Sequence, residues 1–376
     1  MSAVREAKTS PPDPGPRPAT DRPGPGTDRP RVVTGRVVRT RSGALSLLVR
    51  SRTVAVTAAL LLALLTVAAV TLTTGDFDLS VGEVLQALTG DGGGIADFVV
   101  NTLRMPRLVT ALCVGAALAV SGAILQSITG NPLGSPDIIG FTNGSAVGAL
   151  VVIVVIHGSM TQIAIGALAG GLATALAVHL LMLGRGIQGF RLVVVGIGVS
   201  ALLLAVNSYL ITRATFQEAL EAQSWLIGSL GNRLWTHAHA IGIAVAVLLP
   251  LAFLLSRRLS MVEMGDTTAT ALGVDVARTR VVLLVIAVAL AAFATAVTGP
   301  IWFIALAAPQ VARKLTGSGP ALLPSALMGA VMLALSDLAV QRLFAPALLP
   351  VGTATGCVGG LYLIWLLVTE SRKSRA

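Results

Sequence analysis

From Val54 almost to its end the chain is a succession of long apolar runs, with no gap between them large enough for a soluble domain. A run of about 18 or more apolar residues crosses a bilayer as a helix. In lipid a spanning segment must satisfy its own backbone, and a helix does so within itself. Charged residues make up only 12% of the 376 residues, against about a quarter in a soluble domain. The chain therefore buries its apolar surface mainly against lipid. The pattern predicts an all-α fold, a polytopic transmembrane bundle of about ten helices.

The ten expected spans are 54–73, 108–127, 138–156, 161–183, 192–211, 237–255, 281–297, 301–311, 322–340 and 351–368. The eighth is too short to cross alone. Gly299-Pro300 before it and Pro309 within it predict a bent or discontinuous helix. With the N-terminus inside, 22 Arg and Lys fall on inner segments, among them Arg185, Arg191, Arg313 and Lys314. Five fall outside: Arg104, Arg107, Arg213, Arg233 and Arg342. That bias, with an even number of spans, places both termini in the cytoplasm.

Residues 1–53 carry eleven Arg and Lys against four Asp and Glu, and eight of the 18 prolines lie between Pro11 and Pro30. Such a segment cannot bury enough apolar surface to order itself. It reads as a disordered Pro/Arg-rich cytoplasmic tail before a membrane domain at 54–370. Contact with anionic lipid or nucleic acid is the alternative use of such a charge run, and the plain tail is preferred. The first apolar run begins too far into the chain for a secretory signal peptide.

Several chemistries lack their residues. There is no GxxxxGK[ST] phosphate loop, and none of the three lysines follows a glycine. No GxSxG or HExxH is present. His237 and His239 form a lone HxH without a third metal ligand. Cys113 and Cys357 fall inside apolar runs and read as buried small hydrophobes. The spans are nearly free of ionisable groups. Asp337 and Asn207 are the main exceptions, and Asp337 is expected to pair with Arg342 or a neighbouring helix. Gly140, Gly144 and Gly148, with the pairs Gly166/Gly170 and Gly356/Gly360, stand at helix-packing spacing. They predict either close packing within the bundle or a dimer or gating face.

Four stretches carry a family resemblance. RMPRLVTALCVGAALAVSGAILQSITGNPLGSPDIIGFTNGSAVGAL spans 104–150, and SRRLSMVEMGDTTATALGVDVARTR spans 256–280. GPIWFIALAAPQVARKLTG spans 299–317, and SDLAVQRLFAPALLPVGTATGCVGGLYLIWLL spans 336–367. In order and spacing the chain resembles the iron-siderophore, haem and vitamin B12 permeases of ABC importers, the FecCD type. NPLGSPDIIGF, GDTTATALGV and GGLYLI are most similar to a ferric-enterobactin permease subunit. The resemblance implies ten helices per subunit, a dimer around a central path, two cytoplasmic ABC ATPases, and an extracytoplasmic siderophore-binding (lipo)protein. A second, related permease subunit is favoured over a homodimer. The chain itself would bind no cofactor, metal or nucleic acid and hold no catalytic residue, with ATP used by the partner subunits.

Carried over by position, Arg104 and Arg107 of the R-x-P-R element would meet acidic groups of the binding protein, as would Arg342. Guanidinium suits carboxylate through paired hydrogen bonds. The bland alternative is that these arginines anchor helix ends at the headgroups. The inner loop after span six would seat in a cleft of the ATPase. There Met264, Ala269, Leu272 and Val274 form an apolar ridge, Gly265 and Gly273 allow the turns, and Asp266 completes the block. Asn131, Pro132, Gly134 and Pro136 would lie near the inner gate, the alternative being a tight hairpin loop. The chain departs from the family at Pro309-Gln310, where Pro-His is frequent, and at Gly130-Asn131-Pro132, where Arg-Asn-Pro is frequent. Two other classes stay open at this point, an ion-coupled carrier and a polytopic membrane enzyme.

Overall fold

The computed structural model describes residues 36–39, 46–75, 77–90, 93–182, 189–317, 319–344 and 349–373. It divides into two units, Met1–Arg50 and Ser51–Ala376. In the first, β1 (Arg36–Arg39) pairs antiparallel with β2 (Ser46–Val49), Arg36 opposite Val49 and Arg39 opposite Ser46. This ribbon departs from the wholly disordered tail expected. RVVR and SLLV supply β-branched and apolar residues that favour strand pairing. The rest of that expectation, residues 1–35 and 40–45, lies outside the described residues, as does Arg185.

The second unit is a helical bundle. In chain order its helices are α1 (Ser51–Thr73), α2 (Val81–Thr89), α3 (Gly94–Asp97), α4 (Met105–Thr129) and α5 (Phe141–Val151). Then come α6 (Met160–Leu181), α7 (Gly189–Arg213), α8 (Phe216–Ile227), α9 (Trp235–Leu254) and α10 (Ser256–Glu263). The last are α11 (Asp266–Ala271), α12 (Val276–Thr298), α13 (Ile304–Thr316), α14 (Leu322–Leu343) and α15 (Val351–Lys373). A π-helical stretch, Phe98–Arg104, joins α3 to α4, and another, Val152–Ile156, extends α5.

Among the described residues seven helices are long and apolar enough to cross a membrane: α1, the continuous 36-residue Gly94–Thr129, α6, α7, α9, α12 and α14. The expected spans three and eight fall on shorter segments, Phe141–Ile156 and the 13-residue α13, and span ten falls on the 23-residue α15. All ten apolar segments therefore occur in the expected order. Thirteen residues reach only about 20 Å, short of a hydrocarbon core of about 30 Å. The α12–α13 connection accordingly turns inside the bundle, and α13 starts on Phe303 in a left-handed conformation (φ 69°).

Burial separates centre from rim. The apolar windows of Gly94–Thr129, α12 and α14 are 78%, 72% and 61% buried, against 11% for α1 and for α7. Small residues let the central backbones meet. A Cβ on Gly115 would strike the backbone of Gly329, and one on Gly122 the carbonyl of Ala305. Pro309 has no N–H to return to that same carbonyl, four residues back, so Gly122 packs where a helix bond is missing. Gly148 likewise faces Gly166, and Gly144 faces Gly170, so these expected glycines close α5 on α6 within the subunit. Gly356 and Gly360 meet nothing.

Asp337 of α14, only 3% exposed, takes a bidentate bond from Arg107 of α4, Nε to Oδ2 at 2.9 Å and Nη2 to Oδ1 at 2.7 Å. Gln341 donates to the same carboxylate at 2.8 Å. Of the two partners expected for Asp337, the neighbouring helix supplies it. Removing one member of a buried pair strands the other. Arg107→Ala is expected to cost about 3 kcal/mol and Asp337→Ala a similar amount, while the double variant costs less than their sum. Thermal unfolding in detergent of the four proteins measures this.

Candidate functional site

The inner loop after α9 folds into α10 and α11 because two glycines turn it. Gly265 (φ 100°, ψ 154°) occupies backbone space that side chains exclude, and Gly273 (φ 81°) ends α11 as its N–H returns to Thr270 O. Asp275 then caps α12, accepting from Arg278 N–H at 3.0 Å. Met264 and Leu272 stand out into solvent, 64% and 56% exposed. Ala269 is fully buried and Val274 half-buried, so the expected four-residue ridge is an apolar pair of tips. The reason is that α11 is only six residues long, and Ala269 turns into the packed side.

Two ion pairs brace this element from beneath. Asp266 receives both terminal nitrogens of Arg280 in α12, at 2.7 and 2.9 Å. Glu263 of α10 pairs with Arg313 of α13 at 3.0 Å, and Arg313 also donates to Ser127 Oγ of α4 at 2.6 Å. Arg52 of α1 caps the other side of α13, donating to the carbonyls of Leu315 and Lys314 at 2.6 and 3.0 Å. Between these braces lies a cavity of about 490 Å³. The inner end of α4, Pro132, Gly265, Asp266, Arg280 and Arg313 bound it. Two groups of residues separated in the chain, the inner loop and the Asn-Pro turn, thus share one cavity.

The Asn-Pro segment is a hairpin that dives into the bundle. Asn131 Oδ1 accepts from Leu133 N–H at 2.9 Å, and Gly134 N–H returns to Asn131 O at 2.9 Å. Pro132 and Leu133 are exposed, whereas residues 134–137 are buried. Asp137 is the functional-looking group the sequence analysis did not single out. Its carboxylate accepts from Thr142 Oγ1 at 2.7 Å and lies by the backbone N–H of Phe303, at the N-terminus of α13. Its position between two apolar runs, read as a loop, hid it. Gln310, noted only as a departure, donates from Nε2 to Pro132 O at 2.5 Å and accepts from Tyr362 Oη of α15 at 3.2 Å.

On the outer side Arg104 turns inward. Its guanidinium donates to the carbonyls of Leu72 and Phe77 at 2.6 and 2.5 Å, a path open because residue 75 is glycine. Arg107 is bound to Asp337, and Arg342 is exposed. His239 stacks on Trp235, with ring centroids 5.4 Å apart, and His237 Nδ1 accepts from Leu234 N–H. Ser80 and Thr215 begin α2 and α8 with capping boxes. The cap holds the Glu83 carboxyl below its usual range, mainly through the backbone N–H of Ser80.

The FecCD transport family matches residues 60–369. The ferric enterobactin transport system permease protein FepG of Escherichia coli (strain K12) is 45% identical over 86% of this chain and 98% of its own. The achromobactin transport system permease protein CbrC of Dickeya dadantii (strain 3937) is 35% identical over 88% and 96%. The Fe(3+) dicitrate transport system permease protein FecD of E. coli is 38% identical over 72% and 85%. A solved inward-facing structure, assigned to the metal-chelate type of ABC transporter, superposes with a TM-score of 0.75. It is 30% identical and covers 84% of this chain and 99% of its own.

Asp266→Ala removes the brace under α11. It is expected to raise limited proteolysis within residues 264–275 several-fold, with global unfolding shifted by only about 1 kcal/mol, since Asp266 is largely exposed. Gly265→Ala, which strains the turn by about 1–3 kcal/mol, is expected to act in the same direction.

Proposed function

Because the chain belongs to the FecCD transport family, we propose that it is the membrane-spanning permease subunit of an ABC importer that carries a ferric siderophore, of the catecholate, enterobactin-like class, into the cytoplasm. Energy comes from two cytoplasmic ATPase subunits, and an extracytoplasmic binding protein delivers the cargo. The observation that carries the mechanism is the α10–α11 element. Exposed apolar tips at Met264 and Leu272 lie on the arginine-rich inner side, braced through Asp266–Arg280 and Glu263–Arg313 to the central helices. Two large apolar side chains held out on this inner element suit an apolar cleft in a partner. The relatives named above belong to transport systems for different cargoes, ferric enterobactin, achromobactin and Fe(3+) dicitrate. The 45% identity with the ferric enterobactin permease, over nearly all its length, favours a catecholate.

In this reading the second permease subunit is a related chain, and the path runs between the two. Of the three arginines expected to dock, Arg342 is the exposed one and is suited to meet an acid of the binding protein directly. Arg104 and Arg107 serve docking by holding the outer loop and the α4–α14 joint in place. The conduit is placed in the bacterial cytoplasmic membrane.

Deleting the gene in a strain without redundant systems is expected to abolish radioiron uptake from a catecholate complex and to spare haem and labelled vitamin B12. Loss of haem or vitamin B12 uptake instead would keep the importer and sink the siderophore assignment. Arg342→Glu is expected to slow association of the binding protein about tenfold at low salt, with the deficit shrinking as salt rises. Surface-immobilised transporter in nanodiscs reads that rate.

A further inference from the structure

α13 is too short to cross the membrane, yet its side chains bond to α4, α10, α15 and the inner turn. Gln310 is 6% exposed and has both ends of its amide engaged. The Nε2 group donates to Pro132 O in the inner turn, and Oε1 accepts from Tyr362 Oη on α15. One turn on, Arg313 holds Glu263 of α10 and Ser127 of α4, and the Lys314 ammonium lies 5.9 Å from the centroid of the Tyr362 ring. The two residues divide the helix by task. Arg313 faces the element braced beneath the apolar tips, and Gln310 faces the turn and the helix that border the other side.

The chemistry at Gln310 is narrow. A leucine fills the volume and makes neither bond. A glutamate accepts from Tyr362 but cannot donate to the Pro132 carbonyl, and it buries a charge. Glutamine, of this length, donates at one end and accepts at the other. Moving the turn or α15 away from α13 breaks one of these two bonds, and the buried Gln310 amide then has to find another partner.

We propose that Gln310 is a positioning residue of the transport cycle: α13 receives the displacement of α10 at the Glu263–Arg313 pair, and the Gln310 amide passes it to the inner turn and to α15 together. This rests on the reading that Met264 and Leu272 seat the ATPase.

The test uses the complete transporter in proteoliposomes and records three quantities: ATPase subunits co-purified, ATP hydrolysed, and ferric complex imported per ATP. Gln310→Leu is expected to keep assembly and hydrolysis within roughly twofold and to lower import per ATP by about tenfold. Tyr362→Phe, which removes one hydroxyl, is expected to lower the same ratio by a few-fold, and the double variant to fall no further than Gln310→Leu alone. An unchanged ratio in Gln310→Leu overturns the proposal, as does a fall of import and hydrolysis in equal proportion, which is what a merely structural residue would give. If Gln310→Leu fails to reach the membrane, Tyr362→Phe decides, and a wild-type ratio there overturns the proposal. Retention of the ATPase by a Met264→Glu/Leu272→Glu control would overturn the seat itself. Loss of the ATPase in that control, with an unchanged ratio in Gln310→Leu, would overturn only the role of Gln310.

Discussion

The bundle depends on the approach of α4 to its neighbours at Gly115 and Gly122. In lipid, exclusion of water does not drive helices together, so the energy of packing has to come from atoms in contact, and contact is closest where no side chain intervenes. Gly115 lies against the backbone of Gly329 in α14, and Gly122 against the carbonyl of Ala305 in α13. Ser121 between them donates to Ala287 O of α12 at 2.7 Å, and Gln126 donates to Leu306 O at 3.0 Å. One helix thereby touches three others within a few turns. The rim helices α1 and α7 keep their apolar surface for lipid or a partner because the centre is already full.

A short α13 creates a problem that the rest of the chain solves. Its first N–H groups fall inside the bundle, where unpaired backbone is costly. The Asp137 carboxylate lies by one of them, at Phe303, from the far side of the Asn-Pro hairpin. The neighbouring crossing is built from glycines. Gly228 lies on the carbonyl of Pro300, Gly299 on that of Trp225, and Gly352 on that of Ile227, with Ser229 N–H bonded to Thr298 O at 2.8 Å and Gly352 N–H to Gly228 O at 3.1 Å. Irregular backbone at this depth survives because other backbone surrounds it, so the place where the chain is least helical is also where four elements are held most closely.

The apolar periodicity made the ten segments, their order and the break before α13 legible, because each depends on residues adjacent in the chain. Long-range pairing was not legible. Asp337 has Arg342 five residues away, yet its carboxylate binds Arg107, 230 residues distant. Position in the motif suggested outward-facing Arg104 and Arg107. A guanidinium at the edge of an apolar bundle is drawn instead to whatever acceptors the neighbouring helices offer, and only the fold states where those are. The inner loop was legible as an element, through its two glycines and its length. Which of Met264, Ala269, Leu272 and Val274 face outward was not, since a six-residue helix carries too few turns to show a periodic face. The π-helical stretches left no trace in composition at all.

The scarcity of polar groups that identified this chain as a membrane protein also determines how it can transmit force. A soluble domain spreads a displacement over many exchangeable hydrogen bonds with water and side chains. Here the central helices meet through smooth small-residue contacts, which resist separation but offer little resistance to sliding. Resistance to sliding comes from directional bonds, and the side-chain bonds between elements gather toward the two ends: Arg280 to Asp266, Arg313 to Glu263 and Ser127, Arg52 to Leu315, and Gln310 to Pro132 and Tyr362 on the inner side, and Arg107 to Asp337, Arg104 to Leu72 and Phe77, and Trp235 to Asn101 on the outer. The inner set ties α10, α11, α12, α13 and α15 to one another and to the Asn-Pro turn. A push on α10 and α11 therefore meets stiff linkage immediately, at α12 and α13, and compliant packing beyond. The inner end of such a bundle moves as a connected block while the outer crossing, tied backbone to backbone at its glycines, holds as a pivot.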